Sequence, residues 1–433
     1  MDEKISFAKD LIDYIDKSYT MFHSVENMKE NLKKKGFKEL NIKSDWKLKK
    51  NSKYFTTYNE SFLCAFCIGD GDFNNNGFKI IGAHTDSPGL KLKPYPEINF
   101  KNSYIKLNTE VYGGPILSTW FDRPLSIAGK VALKKKGKLY PEIKLINFDK
   151  DLLVLPNLAI HMNRSVNDEG YAYNKQKDLM PILTLINNES KKDNLLNNMI
   201  SENLNCKTSD ILSYELFLYN REKGKIVGLD DEFISSGKLD NLAMFHAGVN
   251  ALLDSDFSDS INVVVGFDNE EVGSHSSQGA DSPMLKFVLE RIYISLGKSR
   301  DEYLQTLANS FIISADMAHG IHPNYEEKSD PVNMPILNSG PVLKIASSQA
   351  YTTNATSEAV FENLCDKTEI PYQKFVNHSN SKGGSTIGPI TSSQLGILSV
   401  DVGNPIFAMH SIKELGGVDD HFMMYQVFKT FFK

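Results

Sequence analysis

Cysteine is scarce. Cys64, Cys67, Cys206 and Cys365 are scattered through 433 residues, which excludes a disulfide framework and fits a reducing compartment. Cys64 and Cys67 make one C-x-x-C, but a zinc ribbon needs a second pair and none follows; both read as residues of an apolar strand. Positive charge is not in excess: 48 Lys and Arg against 54 Asp and Glu give a net charge of −6, so no global basic field draws nucleic acid or an anionic membrane. No apolar run approaches the roughly 20 residues needed to span a bilayer. The N-terminal "MDEKISFAKDLIDYIDK" is acidic and lacks a signal-peptide apolar stretch. The expectation is a soluble, cytoplasmic protein with neither nucleic acid nor membrane as partner. Spaced glycines are also missing. No G-x-G-x-x-G follows a strand, "GKLDN" lacks the glycines of a P-loop, and "SHSSQGA" carries no G-x-S-x-G elbow.

What is present is an ordinary globular composition, 41% hydrophobic and 24% charged, in a chain too long for one core. "KISFAKDLIDYIDKSY" has mostly helical apolar spacing. "HSVENMKENLKKKGF" reads as a second helix, with Ser24 as N-cap and Gly36 closing it. "SFLCAFCIG" and "FKIIGAH" follow as strands. From about 95 to 235 the texture is β-rich, with hairpin turns, and "NNESKKDNLLNNMISENLNCKTSD" reads as a polar loop. Beyond 235 strands alternate with helices, the pattern of a mostly parallel sheet covered on both faces. The expected fold is α/β: a catalytic domain of residues 1–94 and 236–433, interrupted by a β-rich insertion, 95–235.

Polar residues punctuate the strand ends of the α/β part. "IIGAHTDSPG" puts His84 and Asp86 after a strand; "KLDNLA" puts Asp240 before a helix; "VVVGFDNEEVGS" puts Glu270 and Glu271 after a strand; "FIISADMAHG" and "NPIFAMHSIKE" do the same for Asp316 and His410. Ligands of open α/β sheets gather beyond the carboxyl ends of strands. One such histidine alone is more often a core residue than a ligand, and one acidic pair is more often solvated. "HGIHP" could bind metal, but His319 and His322 beside Pro323 fit a structural loop equally well. The combination of two histidines with three or four carboxylates suits zinc or manganese. It is too rich for one ion and about right for two that share a carboxylate. Asp86 then fits as the group that orients the His84 imidazole. Adjacency alone leaves open which of Glu270 and Glu271 faces the metal.

In order and over nearly the whole chain, "GAHTDSPGLKLKP", "YGGPILSTWFDRPLSIAGKV", "LPNLAIHMNR", "KLDNLA", "DNEEVGSHSSQGA", "SADMAHGIHPNY", "GPVLK", "GGSTIGPI" and "DVGNPIFAMHSIKE" make a chain that resembles the aspartyl aminopeptidase family of dinuclear zinc metallopeptidases. The resemblance implies two divalent ions, zinc with cobalt or manganese as alternatives. His84, Asp240 and Asp316 would hold one, and Asp240, Glu271 and His410 the other. Glu270 would be the general base, and Asp86 would orient His84. His161 would reach into a partner subunit's site, bind substrate there and help stabilise the oxyanion. Lys344 would pair with an acidic N-terminal side chain of the substrate. The resemblance also implies dimerisation through the inserted domain and a homo-oligomer of dimers, up to a dodecamer, acting on peptides. One departure bears on the pocket: "NHSNSKGG" has Asn380 where the family usually carries Asp, and adds Lys382.

Two other readings keep the same residues. One is a dinuclear deacylase or carboxypeptidase, the other an assembly or cargo protein with a vestigial site. Retention of both Glu270 and Glu271 argues against the second.

Overall fold

The computed structural model describes residues 3–186, 194–381 and 383–433. The chain forms two compact units. The first comprises the chain up to Ser87 with Gly224–Met409 and Lys413–Lys433; the second is Pro88–Lys223 with His410–Ile412. These limits differ from the expected 94/95 and 235/236. Strand Gly89–Phe100 pairs antiparallel with Tyr104–Tyr112 and so joins the second unit's sheet. Strands Lys225–Val227 and Phe233–Ser236 pair into a sheet with Glu414–Gly417 of the first.

Among the described residues the first unit holds a nine-stranded sheet in the order Lys38–Leu40, Ser52–Tyr58, Phe62–Ile68, Ile261–Phe267, Phe78–His84, Phe311–Ala315, Leu398–Gly403, Val342–Lys344, Gln373–Phe375. Its centre is parallel: Phe78–His84 is flanked by Ile261–Phe267 and Phe311–Ala315, and Leu398–Gly403 continues in the same sense. The period-2 alternation of strands sends side chains to two separate cores. Ile81, Ala83, Val264 and Ile313 pack with helices Glu3–Lys17, Leu239–Leu253 and Val418–Phe431. Phe78, Ile80, Val263 and Val265 pack with helices Met284–Ser295 and Ile387–Leu395. Cys64 and Cys67 divide between these two cores, as the strand reading requires. The architecture is mixed α/β, with no closed barrel among the described residues.

The second unit holds a six-stranded antiparallel sheet whose core includes Leu90, Leu107, Ile127, Val131, Leu216 and Leu218. Two local expectations are corrected. The second helix is Met21–Lys34, with Thr20 at its N-cap position; Ser24 lies inside it, buried, 2.6 Å from the Tyr14 hydroxyl. The stretch read as a polar loop contains helix Leu195–Leu204. Leu196 and Ile200, one turn apart, enter the core, and the Glu97 carboxylate accepts the N–H groups of Leu195 and Leu196 at 3.2 and 2.7 Å. The remainder of that polar stretch, 187–193, lies outside the described residues. No helix among the described residues is long and apolar enough to cross a membrane.

Candidate metal centre

The parallel ladder sets the site's geometry. Phe267 pairs with His84, and Ser314 with Gly82. Asp268–Glu271 and Asp316 therefore leave the sheet at the level of His84. Past Phe267 the chain passes through left-handed Asn269 (φ 61°) into a single 3₁₀ turn, Glu270–Val272. Asp240 lies in the first turn of Leu239–Leu253, where the backbone of Asp240 and Asn241 is not helical. That departure is braced from three sides. Ser87 Oγ donates to the Asp240 carbonyl at 3.0 Å, the Asp240 N–H donates to Glu414 at 3.1 Å, and Asn241 Nδ2 donates to the Ala315 carbonyl at 2.8 Å.

These elements converge on one imidazole nitrogen. His84 Nε2 is 3.3 Å from Asp240 Oδ1, 3.5 Å from Asp316 Oδ1 and 4.0 Å from Glu270 Oε2. Ligand atoms of His84, Asp240 and Asp316 all lie within 4.8 Å of one another, and so do those of His84, Glu270 and Glu271. His84 and Asp240 are both buried. Asp86 also engages the turn that follows the neighbouring strand. Its two carboxylate oxygens accept the main-chain N–H groups of Glu270 and Glu271, each at 3.2 Å, which fixes the 3₁₀ turn. His84 Nδ1 lies 3.1 Å from the Asp86 carbonyl and 3.3 Å from its carboxylate. The main-chain oxygen is thus the nearer acceptor for the imidazole N–H.

Without a cation this crowd of acids is unfavourable. Burial pushes the Glu270 carboxyl up to about 8; His84 opposes this, and the charges of Asp316, Asp86 and Asp240 add to it. Burial likewise holds Glu271 well above the ordinary carboxylate range, with Asp240 the largest neighbouring charge. For His84 burial favours the neutral ring, but Asp240, Asp316 and Asp86 outweigh it and hold the ring well above its usual value. A buried imidazole nitrogen facing several carboxylate oxygens is the donor set of a divalent cation, which would stabilise all of them in the ligating form. The residues fit such an ion.

The other expected residues lie as follows. His410 belongs to the His410–Ile412 segment of the second unit, with left-handed backbone (φ 69°) and Nδ1 3.1 Å from the Gly114 carbonyl. His161, also in the second unit, lies in an exposed 3₁₀ turn, Ile160–Met162. Lys344 ends the strand Val342–Lys344. It is 3% exposed, and its ammonium donates to Asp316 Oδ2 at 3.0 Å, the Asp316 carbonyl at 3.1 Å and the Met317 carbonyl at 3.0 Å. Its three N–H donors are matched by three acceptors of the protein itself. Asn380 is exposed, its N–H on His378 Nδ1; Lys382 lies outside the described residues. Sequence reasoning missed the supports Ser87, Asn241 and Glu414. All three sit inside quoted segments: Ser87 one residue after Asp86, Asn241 one after Asp240 and Glu414 four after His410.

The whole chain has relatives. Residues 14–432 match the sequence model of a family described as aminopeptidase I zinc metalloprotease (M18). A probable M18 family aminopeptidase 2 of Clostridium novyi is 53% identical over 432 residues, 100% of both chains. Among solved structures, a chain in the cryo-EM structure of the Ape4 and Nbr1 complex gives a TM-score of 0.94 at 37% identity, covering 99% of this chain and 86% of that one. The S. cerevisiae mApe1 dodecamer gives 0.84 at 28% identity, covering 98% and 96%.

Proposed function

We propose, from the premise that the chain belongs to the aminopeptidase I zinc metalloprotease (M18) family, that it removes the N-terminal residue of peptides at the centre built around His84. The observation that carries this reading is the approach of Asp240 and Asp316 to a single imidazole nitrogen, 3.3 and 3.5 Å away, with Glu270 beside them. In this reading two divalent ions are held, one by His84, Asp240 and Asp316, the other by Asp240, Glu271 and His410. Zinc is the family's metal, and cobalt or manganese are its substitutes. Bound there, the ions supply Lewis-acid chemistry to water and to the scissile carbonyl. Glu270 takes a proton from the attacking water and returns it to the leaving amine. Asp86 keeps Glu270 and Glu271 in register through their N–H groups.

His161, contributed by a second copy, donates to the developing oxyanion. The apolar side chains around it support cover by another copy: Leu158, Ile160 and Met162 are 56%, 46% and 72% exposed. The inserted β-rich part serves dimerisation, and dimers assemble further, as mApe1 does in its dodecamer. The preferred N-terminal residue is Asp or Glu, a reading that rests on the family likeness.

Zinc-loaded protein should release free amino acid from Asp or Glu amides and short peptides, lose that activity to a chelator and leave N-acetylated peptides intact. Cleavage of the N-acetylated peptides alone would make it a deacylase. No release across an aminoacyl panel would overturn the reading.

A further inference from the structure

We infer that Asp401 is a positioning residue for the reaction: from inside the fold its carboxylate clamps two loops, residues 350–353 and 385–388, to the strand beside Asp316. Its effect on catalysis rests on the peptidase reading of the centre. Three observations carry the inference.

The first is where the carboxylate lies. Asp401 is fully buried in strand Leu398–Gly403. The register sets it opposite Ser314, two residues before Asp316, and the carbonyl of the next residue, Val402, accepts the Asp316 N–H at 2.9 Å. Val400 and Val402 enter one core, so the alternation of the strand turns Asp401 to the other face, against the start of helix Ile387–Leu395. A carboxylate buried there has to be satisfied by the protein itself.

The second is who satisfies it. Oδ1 accepts from Ser314 Oγ and Thr386 Oγ1, each at 2.6 Å, and Oδ2 accepts from the Thr352 N–H at 2.6 Å and from Thr352 Oγ1 at 2.7 Å. Donors from separate segments thus meet on one charge, and hydrogen bonds to an ionised acceptor are the strong ones. The main chain adds to this. The Asp401 N–H donates to Thr353 Oγ1 at 3.0 Å, where pairing with Val342–Lys344 has stopped at Val402.

The third is what the donors belong to. Thr386 is the N-cap of helix Ile387–Leu395, so the hydroxyl that donates to Asp401 also accepts the Gly388 N–H, at 3.2 Å. Gly388 is needed for space, since a Cβ there would fall 2.5 Å from Asp401 Oδ2. Thr352 and Thr353 close the loop that follows Lys344 and leads into helix Ala355–Thr368. The residue before them, Tyr351, is buried with its ring 5.1 Å from the Lys344 ammonium. The two loops also meet directly, with Ser385 Oγ donating to the Ala350 carbonyl at 3.3 Å. Asp401 therefore acts through the loops it holds, and loosening them should show in substrate binding rather than in metal binding.

The test compares Asp401→Asn, Thr386→Val and Thr386→Ser with the parent chain. Hydrolysis of a Glu amide by the zinc-saturated proteins gives kcat and KM. Competition with a chromophoric chelator gives zinc affinity, and hydrogen exchange follows peptides covering 346–354 and 383–388. Clamping predicts faster exchange in both loops of Asp401→Asn and Thr386→Val, KM raised about 10-fold, and kcat and zinc affinity within about 3-fold of the parent. Thr386→Ser keeps the hydroxyl and should match the parent. If Asp401→Asn does not fold, the two Thr386 variants decide, read at 346–354, because a lost cap alone would loosen only its own helix. A lower Tm with unchanged KM would make Asp401 merely structural and overturn the inference, as would unchanged exchange or zinc affinity lost in step with activity. Parent protein inactive on every amide would sink the peptidase reading, yet faster exchange in both loops at intact zinc affinity would still uphold the clamp.

Discussion

Asp86 sets the geometry of the two glutamates. Its carboxylate oxygens each accept one N–H, from Glu270 and from Glu271, so the turn that carries the two side chains is fixed. A carboxamide replaces one of the two acceptor oxygens with an NH2 donor that would face a main-chain N–H. Asp86→Asn should therefore lower kcat about 10–100-fold with a smaller change in KM, read from steady-state hydrolysis of a Glu amide. The glutamates themselves should separate cleanly. Glu270→Gln should lower kcat by about 10²–10⁴-fold, as loss of a general base does, with zinc content by atomic absorption unchanged, whereas Glu271→Gln should lose zinc. Equal zinc loss in both variants would make Glu270 a ligand. His84, Glu270, Glu271 and Asp316 were legible because each follows an apolar run, and runs in a parallel sheet finish at one level. The partner of Lys344 was not. No local pattern tells which carboxylate a lysine will reach across an intervening strand, and its burial follows from sheet order alone.

At the scale of elements, helix Leu239–Leu253, which carries Asp240 in its first turn, is tied to its neighbours by a polar chain whose two histidines are buried. His246 Nε2 lies 2.9 Å from Asp10 of helix Glu3–Lys17, and His246 Nδ1 lies 3.0 Å from Nε2 of His421 on helix Val418–Phe431. The consistent assignment has His246 donating to Asp10 and His421 donating to His246. His421 Nδ1 is buried without a hydrogen-bond partner among the described residues, so a proton there would have no acceptor. Burial, with His246 beside it, accordingly holds His421 well below its usual value. The sign follows. The folded ring stays neutral while the unfolded ring takes a proton below about pH 6.5, so stability present above that pH is lost as pH falls toward the folded value. Asp10, held below its usual value by the hydrogen bond to His246, adds its loss only at lower pH. Between about pH 7 and pH 5 the Tm of the parent should drop relative to that of His421→Gln, whose amide can still donate to His246. Parallel Tm–pH curves would exclude His421 as the source. The helices were legible from apolar spacing, but the role of Ser24 was not, because its partner Tyr14 belongs to another helix. Helix Leu195–Leu204 was masked by asparagines, and its stability comes from Glu97 and the core of its own unit rather than from propensity.

For the whole molecule, the question is whether a site is completed by a second copy. His161 lies in an exposed turn between exposed apolar residues, a placement that serves an interface better than an isolated monomer. If copies meet through a two-fold contact, each site takes its own Glu270 and the other copy's His161. Two inactive variants can then repair each other. His161→Ala paired with Glu270→Gln gives a dimer in which one site lacks both groups and the other has both. Co-expression in equal amounts makes about half of the dimers mixed, each with one complete site, so the mixture should recover about a quarter of parental activity. Either variant alone, or the two purified separately and mixed without exchange, should stay near zero. Mass photometry on the same samples should show an assembly larger than one chain, and tags on the two variants should co-purify. Co-purification of tagged copies without recovered activity would mean that His161 acts within its own chain or does not act at the site. In that case the oligomer would serve enclosure or stability rather than catalysis.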